Sequence, residues 1–482
     1  MPGTGPAYSV TIRAEYENEP GMLGRVTTKI GEEGGDMAGI DVVSVHGRTM
    51  TRDLTVNAAG VEHGQRIIDA VRAIPGVTVR SVSDPTFLFH LGGKIELHSR
   101  VSVKTRDEMS KAYTPGVGRV CMAIHDQPEA VWALTGKANT VVIVTDGTAV
   151  LGLGDIGPEA ALPVMEGKAL LFKELAGVDA WPLCLATTDV EEIIMIVKAV
   201  SPGFGGVNLE DIAAPRCFEI EDRLRAELDI PVFHDDQHGT AVVLLAGLIN
   251  ALHVTGREPS ECKVIMIGVG AAGTACAKIM MSYGVKNIVG FDRQGALSRD
   301  REYGDNIYKQ WFAEHTNPDN SSASLHDALK GADVFVGLAG PGLVEREDIA
   351  GMADDAIVFA LANPIPEIWP EDIPDNVAVV ATGRSDYPNQ INNSLCFPGL
   401  FRGTFDVRAK EINDEMKLAA ARALAGVIPP ASLSADFIMP SVFDADVVHQ
   451  VSRATSRAAV SSGVARKSRP TEPDSYSPFR IR

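Results

Sequence analysis

The sequence contains few cysteines, no excess of basic residues and no long hydrophobic run. Its six cysteines are scattered over 482 residues, without a CxxC pair or the spacing of a disulfide framework, which favours a reducing compartment. The formal charge of −19 provides no basic stripe for nucleic acid. No stretch approaches 18 consecutive apolar residues, and the N-terminal segment lacks a basic stretch followed by an apolar core. We therefore expect a cytoplasmic protein that binds neither nucleic acid nor a membrane.

The length and composition are those of a globular protein with several domains. Hydrophobic residues make up 45% and charged residues 22% of the chain, which is the ordinary globular range. A chain of 482 residues exceeds what one hydrophobic core holds, so we expect about two to four domains. Residues 467–482 are rich in proline, serine and charge, and are predicted to form a flexible tail.

Residues 8–84 alternate strand-like and helix-like runs in the order βαββαβ, which predicts a small ferredoxin-like unit. In its first helix, Met22, Leu23, Val26 and Ile30 recur on one face. With the loop ENEPGMLGRV, this order resembles an ACT domain. The resemblance implies a regulatory domain that binds an amino acid or a similar effector at a paired domain interface. A dimerisation module without a ligand is the alternative.

The region after this unit has the pattern of an α/β protein. Residues 85–110 mix a short apolar stretch with unpatterned charged residues and are predicted to be a connector. Strand-like runs such as TVVIVTD and AWPLCLATTD alternate with helical runs such as VEEIIMIVKAV, which predicts parallel strands joined by crossover helices. We place a first α/β domain at residues 111–250, a second at 251–400 and a helical segment at 401–466.

The segment KVIMIGVGAAGTACAKIMMSYG predicts a dinucleotide-binding turn. Its GxGxxG motif follows an apolar strand and precedes a helix of small residues, which is the arrangement of a Rossmann domain. The residues expected to cradle the pyrophosphate are Gly268, Val269, Gly270, Ala271, Ala272 and Gly273. The next strand, NIVGFD, ends in Asp292, which is expected to accept hydrogen bonds from the adenosine ribose and favours NAD. The adjacent Arg293 could pair with a 2′-phosphate, so NADP stays open as the cofactor.

Two pairs of acidic residues follow neighbouring strands of the first α/β domain. Glu210 and Asp211 end the run GVNLED, and Asp235 and Asp236 end the run IPVFHDD. Because the carboxyl ends of parallel strands meet at one edge of a sheet, these side chains can converge. Three carboxylates would hold a hard cation such as Mg²⁺ or Mn²⁺ and leave positions for substrate oxygens. Helix caps or surface acids are the alternative interpretation.

Six sequence blocks, spread from about residue 100 to about residue 400, resemble malic enzymes of the compact bacterial type. They occur in the order AYTPGVGRV, MEGKALLFKELAGVDAWP, VNLEDIAAPRCFEIE, IPVFHDDQHGTAVVLLAG, ANPIPE and NQINNSLCFPG. The resemblance implies metal-dependent oxidative decarboxylation of (S)-malate to pyruvate and CO₂, with NAD or NADP accepting the hydride. It also implies a Rossmann-type domain beside an α/β catalytic domain. We expect a homodimer or a higher oligomer.

The resemblance further implies roles in the chemistry for the acidic pairs and one lysine. Glu210, Asp211 and Asp236 would be the metal ligands. Lys168, in MEGKALLFKE, would remove the C2 hydroxyl proton while hydride leaves for the nicotinamide, which requires the neutral amine. Asp235 would lie beside the metal and pair with this lysine.

Three more residues match the family pattern around the substrate. Tyr113 in AYTPGVG would protonate the enol at C3. Asn363 would contact substrate and nicotinamide, and Asn393 would contact substrate, both as amides that add no titratable charge. One position departs from larger, eukaryotic-type malic enzymes, which carry an arginine for the malate carboxylate shortly before LGLGD, where this chain has Ala149. A cation from elsewhere, such as a neighbouring subunit, or backbone amides would have to replace that arginine.

Two other functions are compatible with parts of the sequence. An amino-acid dehydrogenase also pairs a lysine base with a Rossmann domain, but it needs no carboxylate cluster and no metal. An inactive metabolite-sensing protein would use the ACT-like unit alone. The second alternative is disfavoured because a degenerate relative should have lost at least one of the residues that this chain retains, which are Tyr113, Lys168, Glu210, Asp211 and Asp236.

Overall fold

The computed structural model describes residues 4–150, 152–304 and 306–468, and its chain forms two compact units, Met1–Glu96 and Leu97–Arg482. The tail predicted at residues 467–482 lies outside the described residues, apart from its first two positions.

The N-terminal unit is an antiparallel sheet with helices. Its four strands have the spatial order β2-β3-β1-β4. The βαββαβ order predicted from the sequence is therefore confirmed. The first helix buries Met22, Val26 and Ile30, and Leu23 is partly buried, as the apolar face predicted. The elements are β1 (Gly5–Glu17), α1 (Met22–Glu32), β2 (Asp36–His46), β3 (Thr49–Ala58), α2 (Val61–Arg72), β4 (Val77–Ser83) and α3 (Pro85–His90).

The second unit begins with short helices and a parallel four-stranded sheet of order β6-β5-β7-β8. The run VVIVT of β5 is fully buried, as expected for a strand with helices on both sheet faces. The elements are α4 (Arg106–Ala112), α5 (Val117–Asp126), α6 (Val131–Leu134), β5 (Thr140–Thr145), α7 (Pro158–Ala176), β6 (Asp179–Cys184), α8 (Val190–Val200), β7 (Gly206–Leu209), α9 (Arg216–Glu227), β8 (Val232–His234) and α10 (Asp235–Thr255).

A second, six-stranded sheet follows, with the order β11-β10-β9-β12-β13-β14. It is parallel except for β11, and the chain ends in three packed helices. The elements are β9 (Lys263–Ile267), α11 (Ala271–Tyr283), β10 (Asn287–Asp292), β11 (Gly295–Ala296), α12 (Ile307–His315), α13 (Leu325–Leu329), β12 (Val334–Gly337), α14 (Arg346–Ala350), β13 (Ala356–Ala360), β14 (Val377–Thr382), α15 (Phe397–Asp406), α16 (Asp414–Ala425) and α17 (Ala445–Ser461). Both predicted α/β sheets are thus present.

The long helix α10 forms the core between the two sheets. It starts directly at the carboxyl end of β8 and packs against α11 and α16. By length and composition α10 could cross a membrane, but most of its residues are buried inside the fold, as in the core helix of a globular domain. Its first turn carries Asp235 and Asp236, so the same helix that fills the core also presents two acids at the sheet edge.

Candidate active site

Lys168 lies buried on α7 and reaches two carboxylates from different strand ends. Its Nζ is 2.5 Å from Asp235 Oδ2 and also forms an ion pair with Glu210 Oε1. The side chain is 7% exposed, and Nζ lies 4.6 Å from the centre of the Phe397 ring. Burial lowers the pKa of Lys168, but the carboxylates of Asp235, Glu210 and Asp236 outweigh burial, so the pKa is raised above its ordinary value.

Glu210, Asp211 and Asp236, here called the carboxylate cluster, meet at the carboxyl edge of the first sheet. One oxygen of each lies within 4.8 Å of the others. The Asp211 backbone N–H donates to Asp236 Oδ2 at 2.8 Å, which ties the end of β7 to the start of α10. Asn208 Nδ2 donates to Glu210 Oε2 at 2.9 Å and orients that carboxylate. The structure thus brings together the acids whose convergence the sequence predicted.

The carboxylate cluster has the donor set of a divalent cation site. Burial raises the pKa of both Glu210 and Asp236, and nearby Lys168 only partly offsets this effect. Three carboxylates this close repel one another, and one lysine cannot balance them. Hard oxygen ligands that converge in a buried place fit Mg²⁺ or Mn²⁺.

The two predicted asparagines approach this region from the second sheet and from the segment that follows it. Asn393 starts a short 3₁₀ helix and packs on the first turn of α10, because a Cβ at Gly239 would lie 3.3 Å from Asn393 Cβ. That same Cβ would lie only 1.9 Å from Asp235 Oδ1, so glycine is required there to make room for the carboxylate. Asn363 is exposed and follows β13, and a Cβ at Gly152 would lie 2.0 Å from its carbonyl oxygen. Gly152 therefore lies against the loop that carries Asn363.

The GxGxxG turn has the geometry of a phosphate-binding loop. Gly268 adopts φ +89°, and a Cβ there would lie 2.5 Å from Leu338 O in the turn after β12. A Cβ at Gly273 would lie 2.2 Å from Gly268 O, so this glycine allows strand and helix to pack closely. Gly270 faces open space at the N-terminus of α11, where backbone N–H groups favour an anion. Val269 is buried, and Ala271 and Ala272 form the first turn of α11.

Asp292 ends β10 as predicted, but both of its oxygens already have cationic partners. Arg301 Nη2 lies 3.1 Å from each oxygen, Lys309 Nζ lies 2.6 Å from Oδ2, and the Gln294 N–H donates to Oδ1 at 2.9 Å. Burial raises the pKa of Asp292, but the hydrogen bonds from Arg301 and Lys309 lower it by more. Arg293 is exposed. No sequence pattern predicted these two cationic side chains, which follow Asp292 by nine and 17 positions, in an irregular and a helical segment.

Comparison with known proteins extends over almost the whole chain. The family model "Malic enzyme, N-terminal domain" matches residues 92–225, "Malic enzyme, NAD binding domain" matches 237–461, and "ACT domain" matches 4–79. The NAD-dependent malic enzyme of Geobacillus stearothermophilus is 58% identical over 97% of both chains.

The chain belongs to the malic enzyme family. A bifunctional malic/malolactic enzyme of Bacillus subtilis (strain 168) is 53% identical over 78% of this chain and 92% of its own length. The crystal structure of the malic enzyme from Pyrococcus horikoshii Ot3 matches with a TM-score of 0.76 and 47% identity, covering 80% of this chain and 92% of that one. Neither an amino-acid dehydrogenase nor an inactive sensing protein finds support in these matches.

For a malic enzyme, the position of Tyr113 is unexpected. The residue directly follows α4 as its C-terminal cap and is 68% exposed, and neither α4 nor α5 contains a buried residue. Within the described part of the chain, no hydrogen bond or ion pair links the Tyr113 phenol to Lys168 or to the carboxylate cluster. The family resemblance predicted a role for Tyr113 at the substrate, but it did not predict that the side chain is exposed.

In this malic enzyme a cationic side chain, that of Arg216, lies beside the loop that contains Ala149. The Ala149 N–H donates to the Asp211 carbonyl at 3.0 Å, so the loop lies against the carboxylate cluster. Arg216 Nη2 is 2.9 Å from Asp146 Oδ2 and 3.1 Å from Thr148 Oγ1. A cation is therefore present beside the position where larger relatives carry an arginine.

Proposed function

We propose that the chain oxidises (S)-malate with NAD and decarboxylates the product to pyruvate and CO₂, at a divalent cation held by Glu210, Asp211 and Asp236. The observation that carries this proposal is the contact of the buried Lys168 with Glu210, one of these acids, and with Asp235 next to Asp236. Lys168 and the carboxylate cluster place a proton acceptor and a cation site within one hydrogen-bonded group.

Mg²⁺ or Mn²⁺ bound by the carboxylate cluster would polarise the substrate oxygen at C2 and so favour loss of CO₂. Lys168 acts as the base that removes the C2 hydroxyl proton. Its amine loses its own proton more readily when the charge of the carboxylates is compensated, because those carboxylates raise its pKa. Asp235 holds Nζ at 2.5 Å and fixes its direction.

Substrate contacts come from the asparagine loops and from the segment before LGLGD. Asn393 and Asn363 donate hydrogen bonds to carboxylate or amide oxygens of malate and nicotinamide. Arg216 or the backbone amides of the Ala149 loop bind the malate carboxylate in place of the absent arginine, supported by the contact of Arg216 with Thr148. Tyr113 delivers the proton to C3, and its exposed position just after α4 requires a movement or a second subunit to bring it to the substrate.

The GxGxxG turn and the N-terminus of α11 would hold the pyrophosphate of the dinucleotide. Asp292 at the end of β10 would accept hydrogen bonds from the adenosine ribose, and Arg301 and Lys309 contact its carboxylate. Because these two cationic side chains could also bind a 2′-phosphate, we expect some activity with NADP beside NAD.

The N-terminal unit is proposed to regulate the enzyme by binding a small-molecule effector, supported by its ACT-type sheet and by the family match at residues 4–79. A homodimer or higher oligomer is the expected assembly. Six cysteines that remain free thiols support a reducing, cytoplasmic location.

Metal removal tests this function. Protein treated with a chelator and desalted should lose malate-dependent NADH formation, and Mn²⁺ should restore it. Activity that persists after complete removal of divalent cations would contradict the proposed cation site and would favour a metal-independent dehydrogenase.

A further inference from the structure

A buried carboxylate on α9, Glu221, accepts hydrogen bonds from the first turn of α10. The His234 backbone N–H is 3.2 Å from Glu221 Oε1, while Gln237 Nε2 and His238 Nε2 are 3.1 and 3.0 Å from Oε2. Glu221 is 3% exposed. Within the family match it belongs to the block VNLEDIAAPRCFEIE, but the sequence patterns assigned it no role.

The side chain of Lys417 orients the ring of His238. Lys417 Nζ lies 3.3 Å from His238 Nδ1, and Lys417 also pairs with Asp414 at 2.7 Å. Because an ammonium group can only donate, Nδ1 is the acceptor, and Nε2 carries the hydrogen that points to Glu221. Glu221 therefore accepts all three hydrogen bonds, from the His234 backbone N–H, Gln237 Nε2 and His238 Nε2.

These hydrogen bonds surround the two acids of α10 in the sequence. His234 precedes Asp235 and Asp236, and Gln237 and His238 follow them. The backbone position and the helix rotation of this turn are thus set from both sides by a single carboxylate. Neither Asp235 nor Asp236 can shift relative to α9 without breaking at least one of these contacts.

The chemistry of Glu221 explains why a carboxylate occupies this place. Three N–H groups converge on Glu221, and an ionised carboxylate can accept a hydrogen bond from each of them. A glutamine amide would place its own NH₂ group opposite at least one of these N–H groups, and two donors cannot form a hydrogen bond. Burial raises the pKa of Glu221, but His238, His234 and Lys417 outweigh burial and lower the pKa to about 2, so the group is charged at neutral pH. A buried charge kept in this way fixes geometry more than it adds stability.

We propose that Glu221 is a positioning residue for the cation site: by holding the first turn of α10, it sets Asp236 at the distance from Glu210 and Asp211 that binds the metal. Glu221 touches neither the cation nor the substrate. The inference rests on the proposed function, because it requires the carboxylate cluster to bind a divalent cation.

The test compares Glu221→Gln with the wild-type full chain, using Mn²⁺ alone as the probe and the electron paramagnetic resonance signal of free Mn²⁺ as the readout. We expect the Kd for Mn²⁺ to rise at least about tenfold, the usual effect of losing a partner that orients metal ligands. NADH binding, followed by its fluorescence, should stay unchanged, because the dinucleotide loop belongs to the other sheet. Saturating Mn²⁺ should restore most of the turnover, which a general loss of structure would not allow.

Glu219→Gln is the matched control, since it makes the same change two residues away on an exposed position of α9. It should leave the Kd for Mn²⁺ and for NADH as in the wild type. Gln237→Ala removes only one donor and should raise the Mn²⁺ Kd by about fivefold, as expected for one hydrogen bond. This variant decides the question if Glu221→Gln has lost NADH binding and hence its fold.

The positioning role is overturned if folded Glu221→Gln, or Gln237→Ala in its place, binds Mn²⁺ as tightly as the Glu219→Gln control. A different result, wild-type protein that binds no Mn²⁺ at all, would instead overturn the proposed cation site itself. The two failures are therefore distinguishable.

Discussion

At the scale of single residues, Lys168 lies among more negative charge than it can neutralise. Glu210 and Asp235 contact its amine directly, and Asp236 acts on it from slightly further away. Burial alone would favour the neutral amine, but the acids hold the proton on it. The same acids that keep Lys168 protonated are the ones proposed to bind a cation, so base strength and metal occupancy are linked in this site.

Lys168→Ala should lower kcat for malate oxidation by about 10²–10⁴-fold, the range expected for loss of a general base. Lys173→Ala is the control, because Lys173 lies on the same helix but is exposed and pairs with Asp179 at 2.7 Å. Steady-state NADH formation measures both variants. Wild-type turnover in Lys168→Ala would show that another group removes the proton.

Tyr113→Phe should impair the decarboxylation of supplied oxaloacetate, because the variant lacks the phenol proton proposed for C3. The conversion can be followed by pyruvate formation in the absence of NAD. Tyr8→Phe, another exposed tyrosine, should behave as the wild type. Equal pyruvate rates in all three proteins would remove Tyr113 from the chemistry.

At the scale of elements, the proposed functional residues lie where strands end and helices begin. The ends of β7 and β8 carry the carboxylate cluster with Asp235, and the turns after β9 and β12 lie against each other at Gly268. Parallel sheets direct these ends to one edge, so short runs of sequence suffice to build a site. The end of β10 differs, since its acid is already bound by two cations.

Asp292→Ser should shift cofactor use towards NADP by about tenfold or more in the ratio of kcat/KM values, which corresponds to about one charge-assisted hydrogen bond. Removal of the carboxylate takes away the acid that Arg301 and Lys309 share, so both can bind a 2′-phosphate, and Arg301 Nη2 keeps its hydrogen bond to Gln294 Oε1. Asp300→Ser, an exposed acid nearby, is the control. An unchanged ratio would mean that these cations do not face the ribose.

The sequence predicted the elements better than the contacts between them. Alternation and apolar periodicity identified β1 to β4 and the helix α8, because burial of one face leaves a regular pattern in the chain. The convergence of Glu210 with Asp236 followed from the rule for strand ends. The roles of Glu221, Arg301 and Arg216 could not be predicted from the sequence, since a single charged residue on a helix or loop does not indicate which distant residue it contacts.

At the scale of the whole molecule, two compact units have separate hydrophobic cores. The core of the first unit includes Ile12, Val26 and Leu54, and the cores of the second unit share no residue with it. All the proposed catalytic and cation-binding residues belong to the second unit. Regulation and chemistry are therefore expected to be separable.

Deletion of residues 1–91, which ends just before the region matched by the malic enzyme N-terminal domain, should preserve kcat and KM for malate within about twofold. The truncated protein should differ from the full chain in its response to a panel of amino acids, or in its number of subunits measured by light scattering. If kinetics, effector response and number of subunits all stayed the same, the proposed regulatory role of this unit would be wrong.

The central claim is oxidative decarboxylation of malate, and its most direct test is to mix the purified full chain with (S)-malate and Mn²⁺, with NAD or NADP in parallel. Absorbance of the reduced cofactor and pyruvate formation are followed together. NADH and pyruvate should accumulate in equal amounts, and the reaction with NADP should be slower than with NAD. No turnover with either cofactor, or NADH formed without pyruvate, would contradict it.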